Sequence, residues 1–124
     1  MSNGKIKDFT DLIAWQKAHQ LVILSYRISK GFPTNEQFAL TNQFTRAAVS
    51  VTSNIAEGFG RATAKDKRNF YVIAKGSVLE LRSQVRVAKD LGYLDVESFT
   101  QFEHDAIEVI RLISGIIHSA QDAM

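Results

Sequence analysis

The sequence predicts an all-α fold, an antiparallel up-down-up-down four-helix bundle that forms a single domain over residues 1–124. Three observations lead to this prediction. The 124 residues include one proline and seven glycines, too few turn residues for an all-β domain of this size. Apolar residues recur at steps of three and four in four successive segments. Short connections between the segments make sequential helices run antiparallel. We expect residues 1–7 to be a flexible tail.

The first predicted helix runs from about Thr10 to Lys30. Its apolar residues share one helix face, and they are Leu12, Trp15, Ala18, Val22 and Tyr26. The next residues end the helix, because Gly31 can adopt the left-handed conformation after a helix and Pro33 cannot continue one.

The second predicted helix begins at Thr34, which has capping-box spacing to Gln37. Gly58 is predicted to be the left-handed residue that follows its last turn. Between these ends runs an apolar stripe of Leu40, Phe44, Ala47, Ala48, Val51 and Ile55.

The third predicted helix follows Thr63 and continues to Gly92, and the fourth follows Asp95. Gly76 lies inside the third helix, where glycine costs about 1 kcal/mol relative to alanine. We expect close approach of the second helix to compensate for that cost. The fourth helix carries the longest apolar stripe: Phe99, Phe102, Ala106, Val109, Ile110, Ile113, Ile116 and Ile117.

The composition excludes several classes of protein. The chain contains no cysteine, which removes disulfides, thiolate metal sites and cysteine nucleophiles. Its beginning, MSNGKIKDF, lacks the apolar core of a secretory signal. The apolar stretch VIRLISGII contains Arg111 and is far shorter than the roughly 20 apolar residues of a membrane span. We therefore expect a cytoplasmic protein that does not contact a membrane.

No motif for catalysis, a metal or a cofactor is present. The residue three positions before each of the three histidines is Gln16, Gln101 or Gly115, so the Glu-x-x-His motif of di-iron bundles is absent. There is no phosphate-binding loop and no nucleophile elbow. The loop GFGRAT joins two helices rather than a strand and a helix. The sequence thus predicts no metal, no cofactor and no enzyme activity.

A polar cluster lies in the stretch SVTSNIAEGFGR and on the third helix. One interpretation is a set of hydrogen-bonded braces that fix helix register. The other is a small hydrolytic or ligand-binding bundle that uses Glu57 and Glu80 as paired carboxylates. An antiparallel pair places Glu57 nearer the start of the third helix than Glu80, which favours the braces. The residues given this structural role are Asn54, Glu57, Gly58, Gly76, Ser77 and Glu80.

The net charge of +2 conceals a strong asymmetry. Eight basic and two acidic residues between Arg61 and Lys89 give this segment a net charge of +6, and six acids with one arginine after Leu94 give −5. Basic residues seven positions apart form one slowly drifting stripe on a helix. The predicted stripe and its extension contain Arg61, Lys65, Arg68, Lys75, Arg82, Arg86 and Lys89.

This basic stripe predicts sequence-independent binding of RNA or DNA, because phosphate contacts need only positive charge and no base-reading motif is present. An ordinary solvated helix face is the alternative interpretation. A third hypothesis is a protein-interaction adaptor whose acidic fourth helix docks a basic partner.

Surplus apolar residues on the first and fourth helices lie outside the main stripes. They are Ile13, Ile23, Leu24, Ile107 and Leu112. Several such residues on one helix predict a self-association surface and hence a homo-oligomer.

Three stretches of the chain resemble one known family. They are FTDLIAWQKA (Phe9–Ala18), FPTNEQFALTNQFTRAAVSVTSNIAEGFGR (Phe32–Arg61) and IAKGSVLELRSQ (Ile73–Gln84). The sequence resembles the four-helix bundle proteins encoded in intervening sequences of bacterial 23S rRNA genes, the S23 family, from Phe9 to about Leu94. SNIAEGFGR and GSVLEL are the most specific parts.

The resemblance implies an up-down bundle that assembles as a ring, commonly of five subunits. It also implies kinship with the accessory variability protein of diversity-generating retroelements, a basic ring that binds nucleic acid and reverse transcriptase. It implies no enzyme activity and no established place in the ribosome. The leading hypothesis is therefore a non-enzymatic, oligomeric nucleic-acid-binding bundle.

Overall fold

The structure is a computed structural model that describes residues 5–124. Residues 1–4, part of the predicted tail, lie outside the described residues. Four α-helices and two short 3₁₀ turns make up the described chain, which contains no strand. The helices are α1 (Ile13–Ser29), α2 (Leu40–Phe59), α3 (Ala64–Asp90) and α4 (Val96–Asp122), and the turns are Phe9–Asp11 and Thr34–Glu36. The predicted all-α fold is confirmed.

The helices form a closed square in cross-section. Each helix packs against its neighbours in sequence and α4 packs against α1, while the backbones of the diagonal pairs stay more than 8 Å apart between Cα atoms within residues 5–124. The contacts between α2 and α3 run antiparallel, since Ser50 meets Ser77 and Gly58 lies against Tyr71. This is the predicted up-down-up-down bundle.

The core follows the predicted apolar stripes. At one end, the ring of Phe44 lies 5.6 Å from the rings of both Phe32 and Phe102. Tyr26 is an exception, because it is exposed although the stripe of the first helix predicted it to be buried. The neighbouring Ser25 is fully buried instead, and its hydroxyl donates to the Leu21 carbonyl at 2.7 Å.

Side-chain caps begin α3 and α4 at the predicted residues. The hydroxyl of Thr63 accepts from the Asp66 amide at 3.1 Å, and the carboxylate of Asp95 accepts from the Ser98 amide at 2.7 Å. Each bond satisfies one of the backbone donors that the first turn of a helix leaves free. The bond from Ser98 lowers the pKa of Asp95.

The predicted start of the second helix is wrong. Thr34 begins a 3₁₀ turn and makes no side-chain cap, and α2 begins at Leu40. The carboxylate of Glu36 replaces the expected capping box, since it accepts from the Leu40 amide at 3.4 Å and from the Tyr93 hydroxyl at 2.7 Å. The contact with Tyr93 joins this turn to the α3–α4 connection. A capping rule considers only neighbouring residues and so does not predict this contact.

The two predicted left-handed glycines, Gly31 and Gly58, are also wrong. Of the described residues, Gly92 alone has a positive φ, at 81°, and Gly31 does not. Gly58 lies inside α2, which continues to Phe59. Gly92 takes the left-handed role that was not predicted for it, because the Tyr93 amide donates to the Ala88 carbonyl at 2.8 Å, the hydrogen bond that closes a Schellman motif.

Candidate nucleic-acid interface

The predicted basic stripe lies along the side of α3 that faces α4. Arg82 donates to the two carboxylate oxygens of Glu103 at 2.8 and 2.9 Å, and Arg86 donates to the same carboxylate. The Glu103 side chain is only 15% exposed. These hydrogen bonds lower the pKa of Glu103 from 4.5 to about 2. Two of the seven predicted cations are thus held by an acid of the same chain.

The other cations of the stripe remain at the surface with weaker partners. Lys89 places its ammonium 4.6 Å from the centre of the Phe99 ring. Arg68 donates to Gln121 at 2.8 Å when the Gln121 amide is turned to present its oxygen. No ion pair within residues 5–124 involves Lys65 or Lys75.

Arg61 lies at the end of the stripe, in the connection between α2 and α3. Its guanidinium is 3.5 Å from the Glu57 carboxylate, and both side chains are exposed. It also lies 4.5 Å from the centre of the Phe70 ring. An exposed pair of this kind contributes little stability, so Arg61 can exchange Glu57 for another anion.

The resulting surface is positive but less so than the sequence indicated. Seven cations face two carboxylates, Glu103 and Glu57, which leaves a net charge of +5. Sequence analysis missed Glu103, although a signal was present. It is the acid that lies between the apolar residues Phe99, Phe102 and Ala106, and this position directs it toward the bundle rather than solvent.

The predicted structural cluster contains one interhelical brace. The Asn54 amide donates to the carbonyl and the hydroxyl of Ser50 at 2.8 and 3.0 Å. The Ser50 hydroxyl is 2.8 Å from the Ser77 hydroxyl on α3. Asn54 therefore holds Ser50 in position for the contact with Ser77, which agrees with the predicted brace.

Glu57 and Glu80 do not belong to this brace and are not close to each other. The Ser50–Ser77 contact sets the register of α2 and α3, and the two acids lie on opposite sides of it. Glu57 lies seven residues after Ser50 and Glu80 lies three residues after Ser77. Because the two helices run antiparallel, these distances add to about 15 Å along the bundle. Glu80 instead accepts from the Gln84 amide at 3.2 Å. These positions do not form a carboxylate pair for acid–base chemistry.

The close helix approach that the sequence predicted at Gly76 occurs at Gly58 instead. A Cβ on Gly58 would lie 2.7 Å from a ring carbon of Tyr71, so Gly58 is the residue that permits close helix approach. A Cβ on Gly76 would have no atom within 4 Å. The expected compensation for Gly76 within the bundle is therefore wrong.

Within the described range, no group of three or more metal-ligating side chains comes together. None of the helices between residues 5 and 124 combines the length and apolarity needed to cross a bilayer. A depression between α2 and α3 is lined by Asn42, Gln43, Arg46, Ala47, Ser50 and Glu80.

The surplus apolar residues are divided between surface and core. Ile13, Ile23 and Ile107 are exposed, whereas Leu24 and Leu112 are half-buried. The sequence missed a second exposed apolar group on α3, which consists of Val72, Ile73, Leu79 and Val87. It was missed because these residues lie outside the core stripe of α3.

Comparison with known proteins identifies the family. The family model described as 23S rRNA-intervening sequence protein matches residues 10–115. The chain belongs to this family. The match includes the whole of α1, α2 and α3 and most of α4, whereas the resemblance in the sequence reached only to about Leu94.

A solved structure with the same fold comes from Bacteroides thetaiotaomicron and is described as a protein of unknown function from the S23 ribosomal protein family. It is 22% identical to this 23S rRNA-intervening sequence protein, covers 85% of this chain and 98% of its own, and has a TM-score of 0.78. No curated protein matches the chain in sequence.

Proposed function

We propose that this 23S rRNA-intervening sequence protein is a non-enzymatic homo-oligomer that binds RNA or DNA without sequence preference through the basic stripe on α3. The observation that carries the proposal is the row of surface cations opposed by only two carboxylates. Lys65, Lys75 and Lys89 have no acidic partner within residues 5–124. Such cations can replace the counterions of a phosphate backbone.

The chemistry of the stripe favours phosphate over bases. Lysine and arginine that contact phosphates fix position but do not read sequence. The rings beside the stripe, Phe70 and Phe99, already lie against Arg61 and Lys89, so they do not form a free platform for base stacking. We therefore expect RNA and DNA to bind with similar affinity and a strong dependence on salt.

Assembly would multiply the effect of one weak stripe. In a ring, commonly of five subunits in the family that the sequence resembles, each copy would present the same stripe to one nucleic acid, and linked contacts raise the overall affinity.

Kinship with the accessory variability protein of diversity-generating retroelements and a cytoplasmic location are further parts of this proposal. The hydrolytic alternative is weaker, because Glu57 and Glu80 lie about 15 Å apart along the helices.

The test is a titration of RNA and DNA of equal length at several salt concentrations. One variant combines Lys75→Glu with Lys89→Glu. A matched control combines Lys30→Glu with Arg46→Glu, which makes the same charge change on two exposed residues, one directly after α1 and one on α2. We expect the stripe variant to reduce the slope of log affinity against log salt by about 2, and the control to retain the wild-type slope. Equal loss in both variants would leave net charge alone as the cause.

A further inference from the structure

An exposed apolar ridge runs along α3 beside the basic stripe. Val72, Leu79 and Val87 are 41, 48 and 47% exposed. Between them lie two small residues, Gly76 and Ser83. We call Val72, Ile73, Gly76, Leu79, Ser83 and Val87 the outer ridge. It is a second apolar surface of α3, opposite the side that is already buried in the bundle.

Gly76 is the least expected residue of this ridge. Glycine inside a helix is unfavourable, and a side chain at Gly76 would meet nothing within 4 Å in this chain. At 100° per residue, Val72, Gly76, Leu79 and Ser83 fall within about 60° of the helix surface. Gly76 and Ser83 thus leave the backbone of α3 little covered on either side of Leu79, so another chain can approach α3 closely there.

The charges beside the ridge are unequal. Arg68, Lys75 and Arg86 lie along the flank nearest α4, and Glu80 lies on the other flank, where Arg46 of α2 lines the same depression. The ridge therefore presents apolar surface with a positive border.

An open groove with the opposite charge lies between α1 and α4. It has a volume of about 840 Å³ and contains the apolar side chains of Leu24 and Ile28. A smaller depression of about 360 Å³ continues it past His104. The acids along these two depressions are Asp95, Glu97, Asp105 and Glu108, and Lys17 is the cation that lines them. Glu108 is also paired with Arg111 at 2.7 Å, so Asp95, Glu97 and Asp105 carry the negative charge of the groove. We call this surface the α1–α4 groove.

We infer that the outer ridge of one copy docks into the α1–α4 groove of a second copy. The inference rests on the proposed self-association and names the two surfaces that meet. The apolar ridge would cover Leu24 and Ile28, and Arg68 of the positive border would lie against Glu97 and Asp105. Lys75 and Lys89 lie further round α3, so they stay open to phosphate. The contact is heterologous, since one surface meets a different one.

Pairing of two identical ridges is less favourable on electrostatic grounds. A two-fold contact between ridges would bring the positive border of each copy near its own counterpart, and like charges at an interface disfavour association. Groove-to-groove pairing would do the same with the acids. Ridge-to-groove pairing brings opposite charges together and leaves each copy with one free ridge or groove for the next.

Two of the residues that the sequence assigned to self-association fit this arrangement. Leu24 lies in the groove, and Ile13 belongs to the same side of α1, since residues 13, 17, 20, 24 and 28 follow one another at steps of three and four. Ile107, by contrast, does not line either depression.

The experiment uses one variant for each surface and measures mass by analytical ultracentrifugation. Leu79→Glu places an acid in the ridge, and Glu97→Lys with Asp105→Lys reverses the charge of the groove. Val49→Glu is the control, since Val49 is as exposed as Val72, at 41%, but lies on α2 away from both surfaces. Circular dichroism checks that every variant is folded. Gly76→Gln is a second ridge variant, and it adds a good helix former in open space.

We expect wild type and Val49→Glu to associate. Each surface variant should have a dissociation constant at least about tenfold higher, which is the effect of losing a central contact. A mixture of the ridge variant and the groove variant should form a one-to-one heterodimer and stop there, because each contributes its single intact surface. Gly76→Gln should behave as Leu79→Glu does.

Three other results would overturn the inference. A mixture that remains monomeric would show that the intact ridge and the intact groove do not bind each other, whereas self-association of one variant alone would indicate pairing of identical surfaces. Ridge and groove variants that associate as wild type does would place the contact elsewhere and leave the proposed homo-oligomer standing. A monomeric wild type at about 100 μM, well above the micromolar range of specific contacts, would remove both the inference and the proposed homo-oligomer.

Discussion

The two sides of α3 are held to the bundle by different chemistry. Toward α2 the contact is neutral and close, with the hydroxyls of Ser50 and Ser77 2.8 Å apart and Gly58 against the Tyr71 ring. Toward α4 the contact is ionic, with Glu103 between two arginines. The α2 side should therefore be sensitive to added volume and insensitive to pH. The α4 side should respond to the protonation of one carboxyl.

The largest expected effect comes from adding one methyl group on the α2 side. Gly58→Ala would place its Cβ 2.7 Å from a ring carbon of the buried Tyr71. The ring has to move, and overpacking of this kind costs typically about 1–3 kcal/mol; we expect the upper part of that range. Urea denaturation measures the loss. A variant as stable as wild type would show that α2 and α3 are less closely packed than described.

The second effect tests the ionic side. Glu103→Gln removes the charge that binds Arg82 and Arg86, and hydrogen bonds to charged groups contribute about 1.5–3 kcal/mol each. Because the partners are partly exposed, we expect a loss of about 2 kcal/mol in the free energy of unfolding at pH 7. Glu97→Gln, an exposed acid of the same helix, is the control and should change little.

The pH dependence of stability follows from the same carboxyl. The pKa of Glu103 is lowered in the folded chain from 4.5 to about 2. The unfolded chain binds a proton more readily, so this contribution is complete above about pH 4.5 and disappears as the pH falls toward 2. Glu103→Gln should therefore have a flatter stability curve than wild type in this window. Parallel curves for the two proteins would contradict the ionic contact.

The third effect is the loss of the brace. Asn54→Ala removes the amide that donates to the carbonyl and hydroxyl of Ser50, at a cost of about 1 kcal/mol. The thermal midpoint should fall at both pH 4 and pH 7, since no titrating group is involved. Asn42→Ala, which changes an exposed residue of the same helix, should leave the midpoint unchanged.

The smallest effect has the opposite sign. Gly76→Ala makes the same substitution as Gly58→Ala, but the new methyl group meets nothing within 4 Å. A gain in helix propensity should stabilise the folded chain by about 0.5–1 kcal/mol. Urea denaturation at low protein concentration isolates this gain from any effect on assembly. A loss of stability would show that the outer side of Gly76 is in contact with another part of the chain.

The sequence predicted those features of the fold that depend on neighbouring residues. Helical periodicity located all four helices, and the caps at Thr63 and Asp95 gave the starts of α3 and α4 to the residue. The predicted start of α2 was wrong because Glu36 accepts a hydrogen bond from Tyr93, which lies 57 positions away. No local rule includes such a partner.

The candidate interface was predictable only as a pattern of charge. Spacing of seven residues placed the cations on one side of α3, but it did not show which helix that side faces. The pairing of Arg82 with Glu103 depends on the register of α3 against α4, which is set by the packing of the whole bundle. Close helix approach was assigned to Gly76 rather than Gly58 for a similar reason, because periodicity does not show how closely a neighbouring helix approaches.

Trp15, the only tryptophan in the sequence, gives the protein a natural optical reporter. Its indole stacks on His19 with 4.9 Å between ring centres and meets Phe9 edge-on at 5.2 Å. Phe9 belongs to the first 3₁₀ turn, so the fluorescence of Trp15 reports whether that turn remains seated on α1. Emission from Trp15 and circular dichroism from all four helices can therefore be recorded in one sample. Together they distinguish release of the first turn from unfolding of the bundle.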